Sequence, residues 1–492
     1  MTKVQPPFAL ALLSLLAACT AGPTYVRPPF VVPAEYKETA PSAEHENGAW
    51  KSATPQQIDS DGRWWELYGD AQLNAFMLEA NASNQTIALA DAQYRQARAA
   101  VQAVRAAWFP TVNASVALNR ARSNTDGDFS TGNAHAALLD SSWEPDLWGR
   151  VRRSLESSTA SAQASAADLA AARLSIQAEL AQDYYQIKIL DAQKELFART
   201  LAAYQKALHL TQSQFAAGIV TRIDVALAQS QLTSAQAQAI DLDVQRQQLE
   251  HALAILLGKT PDQLTLAPSP LPVLLPLVPP GLPSQLLERR PDIASAERRA
   301  GAANASIGVA EAAYFPSISL GASAGFESAS LAHWFSTPSR VWSLGATLAH
   351  TLFDGGLHTA QIMQAEAAYD AAAAGYKQTV LSAFQEVEDT LAALHVLALE
   401  AKAQAQAVTA AHDAEQVTLK QYRAGTAIYL AVVTTQTASL AAERAAIQLL
   451  GRQCAASIGL IKAIGGGWHA TELTHLPPLE ADGAKEDDED DR

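Results

Sequence analysis

Cysteine is almost absent from this chain: two residues in 492, Cys19 and Cys454. No CxxC or HExxH pair occurs and the eleven histidines are scattered, so the metal arrangements of zinc domains and zinc hydrolases are missing. Beyond the first 18 residues no run of eighteen apolar residues exists, which leaves no candidate transmembrane helix. Basic charge is also short. Lys and Arg number 35 against 50 Asp and Glu, for a net charge of −15. With no basic stripe, nucleic acid is not an expected partner. Gly258-Lys259-Thr260 ends like a phosphate-binding loop, but Leu253 stands at the first glycine position and the triplet closes a helix instead of opening one. Gly465-Gly466-Gly467 reads as another helix stop. The chain is expected to be no enzyme, to bind no metal and to hold no cofactor beyond a covalent lipid.

That lipid is expected from the N-terminus. Lys3, the apolar run Phe8–Ala18 and Leu16-Ala17-Ala18-Cys19 form a processing signal that resembles a bacterial lipobox. Cys19 is then the lipidated first residue of the mature chain. Thr20 follows it, not Asp, which favours the outer membrane. Acyl chains contribute roughly 0.8 kcal/mol per buried methylene, so several on one cysteine anchor stably. Cys454 is left without an intrachain disulfide partner and reads as a buried thiol in a helical apolar context. At the far end, Glu480–Arg492 contains the run EDDEDD and reads as a solvated acidic tail.

Between these ends, two periodicities alternate. Residues 20–62 are proline-punctuated, and Trp64, Trp65 and Tyr68 lead into a helix over 71–107. Pro110 ends it. Strands follow over 111–119 and 134–143, joined by a polar turn over 123–128. A very long helix spans 151–217, with Leu169, Ile176, Leu180, Ile187, Leu190, Phe197, Leu201, Tyr204, Leu208 and Phe215 at heptad-like spacing. Gly218 turns the chain into a return helix over 223–257. After a proline-dense linker the order recurs: helix 291–313, a break at Tyr314-Phe315-Pro316, strands 317–326 and 341–351, helix 357–424, a turn at Gly425 and helix 429–464. Pro110 and Pro316 lie 206 residues apart, as do Gly149 and Gly355, whereas Gly218 and Gly425 lie 207 apart. A duplication with one inserted residue accounts for these spacings.

The strands alternate apolar residues with small or polar ones, and aromatics gather where helix meets strand: Trp108, Phe109, Trp143, Trp148, Tyr314, Phe315 and Phe353. That is the layout of a membrane barrel with an aromatic girdle. A soluble four-stranded sheet packed on helices competes with it. Strands of about ten residues and the lipid signal favour the membrane. Four strands cannot close a barrel, and lipid tolerates no open edge, so several chains must pool theirs. The Ala-, Gln- and Ser-rich helices suit a hollow cylinder better than a filled bundle. A periplasmic spacer would leave the alternating strands without a role.

Four motifs, GLPSQLLERRPDI (281–293), AANASIG (302–308), YFPSISL (314–320) and IKAIGGGW (461–468), resemble the hallmarks of TolC-type outer membrane factors, in particular their lipoprotein branch. The resemblance implies an α+β membrane protein of a homotrimer. Long α-helical hairpins form a periplasmic α-barrel, and four β-strands per chain enter a 12-stranded outer-membrane β-barrel. It divides the chain into signal peptide (1–18), lipidated extended segment (19–62), first repeat (63–258), linker (259–283), second repeat (284–468) and acidic tail (469–492). It implies a periplasmic adaptor protein, an inner-membrane pump of the RND or MFS type and outer-membrane lipid as partners. Efflux of drugs or other small toxic compounds is the expected role, and protein export through a type I system is the alternative. Pro110 and Pro316 mark the helix-to-strand entries. Ala217, Gly218, Thr221, Ala424, Gly425 and Thr426 map to the adaptor-docking tip, and Leu430, Thr434 and Thr437 to the periplasmic gate. The family's leucine is kept there, and its aspartate and arginine are both replaced by threonine.

Overall fold

The structure, a computed structural model, describes residues 21–38, 62–125, 128–269, 276 and 283–474. Cys19, residues 270–275 and 277–282 of the linker and residues 475–492 of the tail lie outside the described residues. A buried 3-10 turn, Trp64–Tyr68, leads into α1 (Ala71–Ser83) and α2 (Gln85–Ala106). Strands β1 (Thr111–Thr125) and β2 (Asp128–Trp143) are followed by α3 (Arg150–Ala216) and α4 (Arg222–Leu256). The second half repeats the order with α5 (Pro291–Ala312), β3 (Ser317–Ser328), β4 (Arg340–Ala349), α6 (Leu357–Arg423) and α7 (Tyr429–Ala463). No described helix is long and apolar enough to cross a membrane.

The duplication holds at the level of helix length. α2 and α5 have 22 residues each, α3 and α6 have 67, and α4 and α7 have 35. At 1.5 Å per residue the two rods are about 100 Å long. Because the rods match, the inserted residue is not inside them. Gly149 is the N-cap of α3 and its counterpart is Gly356, the N-cap of α6, both with left-handed backbone. The expected pairing of Gly149 with Gly355 is therefore one residue out, and the insertion sits in the strand-to-helix loop. Neither glycine can cap with a side chain. Asp146 serves instead, accepting from the amides of Val151 and Arg152 at 2.9 Å, as Asp354 does from Gly356 and His358.

The first helix does not run unbroken from residue 71 to 107. Asn84 interrupts it in an extended conformation, and its side chain accepts from the Thr86 and Ile87 amides while donating to the Leu256 carbonyl at 2.8 Å. Arg290 does the corresponding job ahead of α5, donating to the Ala463 carbonyl at 2.9 Å. Beside each joint a glycine of positive φ closes the return helix. A Cβ on Gly258 would come within 2.4 Å of the Ser83 oxygen, and one on Gly465 within 2.0 Å of the Arg289 oxygen. Both repeats thus share one joint, made with different side chains.

The first half of α3 packs against α2 and α5, and its second half against α4 and α7. Around the joint, Trp64, Trp65, Tyr68, Tyr184, Tyr185, Leu253 and Ile458 form one buried cluster. Cys454 is part of it, and burial pushes its thiol up to about 11. Lower down, Phe197, Tyr204, Leu208, Leu232, Tyr422, Tyr429 and Val432 form another. The heptad residues from Leu169 to Leu208 line these cores, with Leu201 half-buried. Phe215 is 46% exposed, because in the last turn of α3 only the side facing Tyr422 is covered.

The four strands form one antiparallel sheet in the order β1-β2-β3-β4. Both strands of the first hairpin run six residues further than their alternation suggested, so most of the expected turn is ladder. Hydrogen bonding between strands needs no apolar face, and Ser123 and Ser130 hydroxyls pair across it at 3.1 Å.

The channel wall and its tip

Cross-strand partners share a face of a sheet, so the register assigns every strand residue to one of two surfaces. Val112, Ala114, Val116 and Leu118 pair through to Leu139, Ala137, Ala322, Ala324, Phe326, Trp342 and Leu344. The other surface carries Asn113, Ser115, Asn119, Asp140, Ser319, Gly321, Ser323, Ser343, Gly345 and Thr347. At the level of Val112 to Leu118, one face is predominantly apolar across all four strands and the other, apart from Leu138 and Val341, is small or polar. Trp342 is 80% exposed and Leu344 78%. No described residue covers this part of the apolar face, which is the condition of a surface meant for lipid.

The aromatic girdle is bonded together at the periplasmic end of this face. The Trp148 ring stacks on Phe315 at 4.9 Å and its indole donates to the Pro316 carbonyl at 2.6 Å. Trp143 donates to the Trp108 carbonyl at 3.2 Å. Pro110 and Pro316 each stand one residue before a strand, as the entries require. Residues 21–38 run down from this boundary along α5, antiparallel to it. The Ala21 amide donates to Trp148, Arg153 donates to the Ala21 carbonyl, Asn304 to Pro23, and Tyr25 to Glu297. Gly22 and Gly308 touch backbone to backbone, leaving no room for a Cβ on either.

At the opposite end lie the two turns expected to form the tip. Gly218 and Gly425 have φ of 74° and 76°, and each helix closes with a six-to-one bond, Ile219 to Gln214 and Thr426 to Gln421. Ala217 and Ala424 are the C-caps. Thr221 forms a capping box with Asp224, whereas Ile428 in the second turn gives α7 no side-chain cap. The hydroxyl of Thr426 is turned back to the Gln421 carbonyl. Lys420 and Arg423 occupy the last turn of α6, where α3 has Ser213 and Ala216, and Ala431 stands in α7 at the place of Asp224. One turn is fixed by its cap and carries Arg222 beside Asp224; the other is uncapped and basic.

Leu430, Thr434 and Thr437 all lie on exposed positions of α7, Leu430 at 50%. Both threonine hydroxyls donate to their own helix, Thr434 to the Leu430 carbonyl and Thr437 to the Val433 carbonyl. What they turn outward is therefore weakly polar, and no ionised group stands at either position. Sequence reasoning missed the contacts that tie the two helical hairpins just above the tip. Tyr422 donates to Gln214 at 2.7 Å and packs edge-on against Tyr429, and Gln231 donates to Gln436 at 3.3 Å. The aromatic and amide residues around Gln214 and Gln436 were the available signal. Burial beside Tyr422 and Tyr204 pushes the Tyr429 phenol up to about 12, so it stays neutral. Among the described residues no three metal-binding side chains cluster.

The family model for outer membrane efflux proteins matches this chain twice, over residues 77–259 and 282–466. The chain belongs to that family. The two matches fall on the two structural repeats. Outer membrane protein OprJ of Pseudomonas aeruginosa is 34% identical over 94% of this chain and 97% of its own. The pyoverdine export outer membrane protein OpmQ of the same organism is 31% identical, with the same coverage. Among solved structures, the outer-membrane channel OprN superposes with a TM-score of 0.85 at 31% identity, over 92% of this chain and 100% of that one. The two-faced sheet is thus the outer-membrane part of an efflux channel, and the rods extend from it into the periplasm.

Proposed function

We propose that three copies of this chain close their sheets, β4 of one against β1 of the next, into a 12-stranded barrel continued by a helical tunnel. The observation that carries this reading is the pair of open edges on a sheet with one lipid-facing surface, because an unpaired strand edge cannot stand in hydrocarbon. The tunnel conducts passively what an inner-membrane pump of the RND or MFS type delivers through a periplasmic adaptor bound at the Gly218 and Gly425 turns. Drugs and other small toxic compounds are the cargo class. Cys19 carries the lipid. Ala21, two residues on, is bonded at the aromatic boundary, which supports an anchor at membrane level. Leu430 forms an apolar constriction, and Thr434 and Thr437, whose hydroxyls are engaged internally, add no charged ring to it.

The mass of the detergent-solubilised particle tests the assembly directly, together with cysteine pairs introduced along β1 and β4. Three copies and a covalent dimer-to-trimer ladder are expected. A monomer that never cross-links through these edges would refute the closed barrel.

A further inference from the structure

The charged residues of the strands are sorted by face. Arg120, Arg122 and Arg340 all fall on the apolar, lipid-facing surface, and Asp128, Asp140 and Glu327 all fall on the other. No carboxylate stands on the outer face among the described strand residues. The three arginines are also at one end of it, the end away from the helices. Arg120 and Arg122 follow directly above Leu118, and Arg340 opens β4 above Trp342. The periplasmic end of the same face carries Val112, Trp143, Ile318 and Leu348 and no cation. General snorkelling of long side chains would serve both ends alike.

These guanidinium groups are unspent. Arg120 and Arg340 make no hydrogen bond or ion pair with described residues, and Arg122 lies only over the Phe129 ring, 4.7 Å from its centre. In a chain of net charge −15 that is unusual, since carboxylates are abundant elsewhere. Around them the outer face is polar and able to hydrogen-bond. Asn133 is the cross-strand partner of Arg120, Thr131 that of Arg122, and His135 that of Leu118. Trp334 covers His135 with ring centres 5.7 Å apart and stacks on Phe335, closing the patch with an aromatic floor.

We infer that this rim is a binding site for the phosphate groups of a phosphorylated glycolipid in the outer leaflet. A planar guanidinium matches phosphate bidentately, and its depth, just beyond the apolar band, is where a lipid's charged headgroup lies. The inference rests on the proposed barrel in one respect. Pairing β4 with β1 of the next copy brings Arg340 to the same rim as the neighbour's Arg120 and Arg122, so each seam between copies carries one composite site.

Native mass spectrometry of the intact, full-length assembly tests this with three added lipids: a bisphosphorylated glycolipid, the same glycolipid with its phosphates removed, and phosphatidylglycerol. The bisphosphorylated form should be retained, and the other two lost. The triple variant Arg120→Gln/Arg122→Gln/Arg340→Gln should lower its occupancy roughly tenfold or more, as expected for removing charge-assisted bonds. A charge-matched control, Arg173→Gln/Lys206→Gln/Lys402→Gln on the periplasmic helices, should leave it unchanged. Equal retention of the dephosphorylated glycolipid or of phosphatidylglycerol, or equal loss in the control, would overturn the site. The wild-type lipid series decides even where the triple variant assembles poorly. The same spectra report the copy number, so a monomer counts against the barrel, and an intact trimer with indifferent lipid binding counts against the rim alone.

Discussion

Replacing Asn84 with Ala isolates what the joint between α1 and α2 contributes. The side chain is 4% exposed and does two things at once. Its oxygen caps α2 by accepting from the Thr86 and Ile87 amides, and its NH2 group satisfies the Leu256 carbonyl at the end of α4. Losing an N-cap costs about 1 kcal/mol. Orphaning a buried carbonyl costs about 1–3 kcal/mol more. The sum, about 2–4 kcal/mol, should appear locally as opening of the joint, with amide exchange faster by roughly 30- to 700-fold where opening limits it. Hydrogen exchange read peptide by peptide is the right assay, because an assembled membrane channel need not unfold reversibly. Peptides spanning 84–90 and 254–260 should exchange faster, while those around Arg290 and Ala463 should not. Asn84→Asp separates the two functions, since a carboxylate keeps the caps and loses the donor to Leu256. It should release the 254–260 peptide and spare the start of α2. Unchanged exchange at both places in a folded Asn84→Ala protein would refute the account of the joint.

Other consequences follow from the same geometry. Leu430→Ala should make whole cells more permeable to a bulky antibiotic without altering the amount of channel in the membrane; unchanged uptake counts against Leu430 as the constriction. Gly425→Ala should destabilise its turn by roughly 1–2 kcal/mol through left-handed backbone alone, because no atom lies within 4 Å of the new Cβ. Local exchange at 420–428 checks it, and Gly425→Asn should cost less. Asp183 is raised to about 6 by burial and then by Glu179. The folded state therefore holds more protons than the unfolded one between the usual carboxylate range and about 6, and this group's contribution to stability falls as pH rises through that window. Asp183→Asn should flatten that dependence and raise the thermal midpoint at neutral pH; an unaltered slope between pH 4 and 7 would contradict it.

Helix ends were the most legible part of the chain because they are set locally. Gly149, Gly218, Gly258 and Gly425 all have positive φ, and the expected rods and return helices end within a residue of the observed ones. The sheet's two faces were legible for the same reason, an alternation that needs no knowledge of the partner strand. Its upper limits were not, since Arg120, Arg122, Ser123 and Asn124 look like turn residues while pairing as strand. The break at Asn84 was hidden by the lack of proline or glycine, and it exists only because Leu256, far along the chain, ends beside it. At the tip, sequence gave the positions of Thr434 and Thr437 but not the direction of their hydroxyls, which is decided by the free carbonyls one turn back. Cys19, on which the anchor depends, lies outside the described residues.

Equal rods explain where the duplicated halves were free to diverge. One residue added inside a helix turns everything beyond it by about 100° and shifts it 1.5 Å. In α3 or α6 that would carry the buried face of the lower half out of its core. It would also pull apart Gln214 and Tyr422, which join the two hairpins near the far end of each rod. In the loop before α6 the same residue is harmless, because Gly355 and Gly356 both take left-handed backbone and Asp354 still reaches the first amides. Chemistry could drift wherever position was kept. Asn84 and Arg290 share no functional group apart from an N–H donor, yet each meets the last carbonyls of its return helix from the same place. The channel wall thus constrains length and register along the rods more tightly than residue identity. That is why the duplication is plain in the spacing of its breaks and faint in the residues between them.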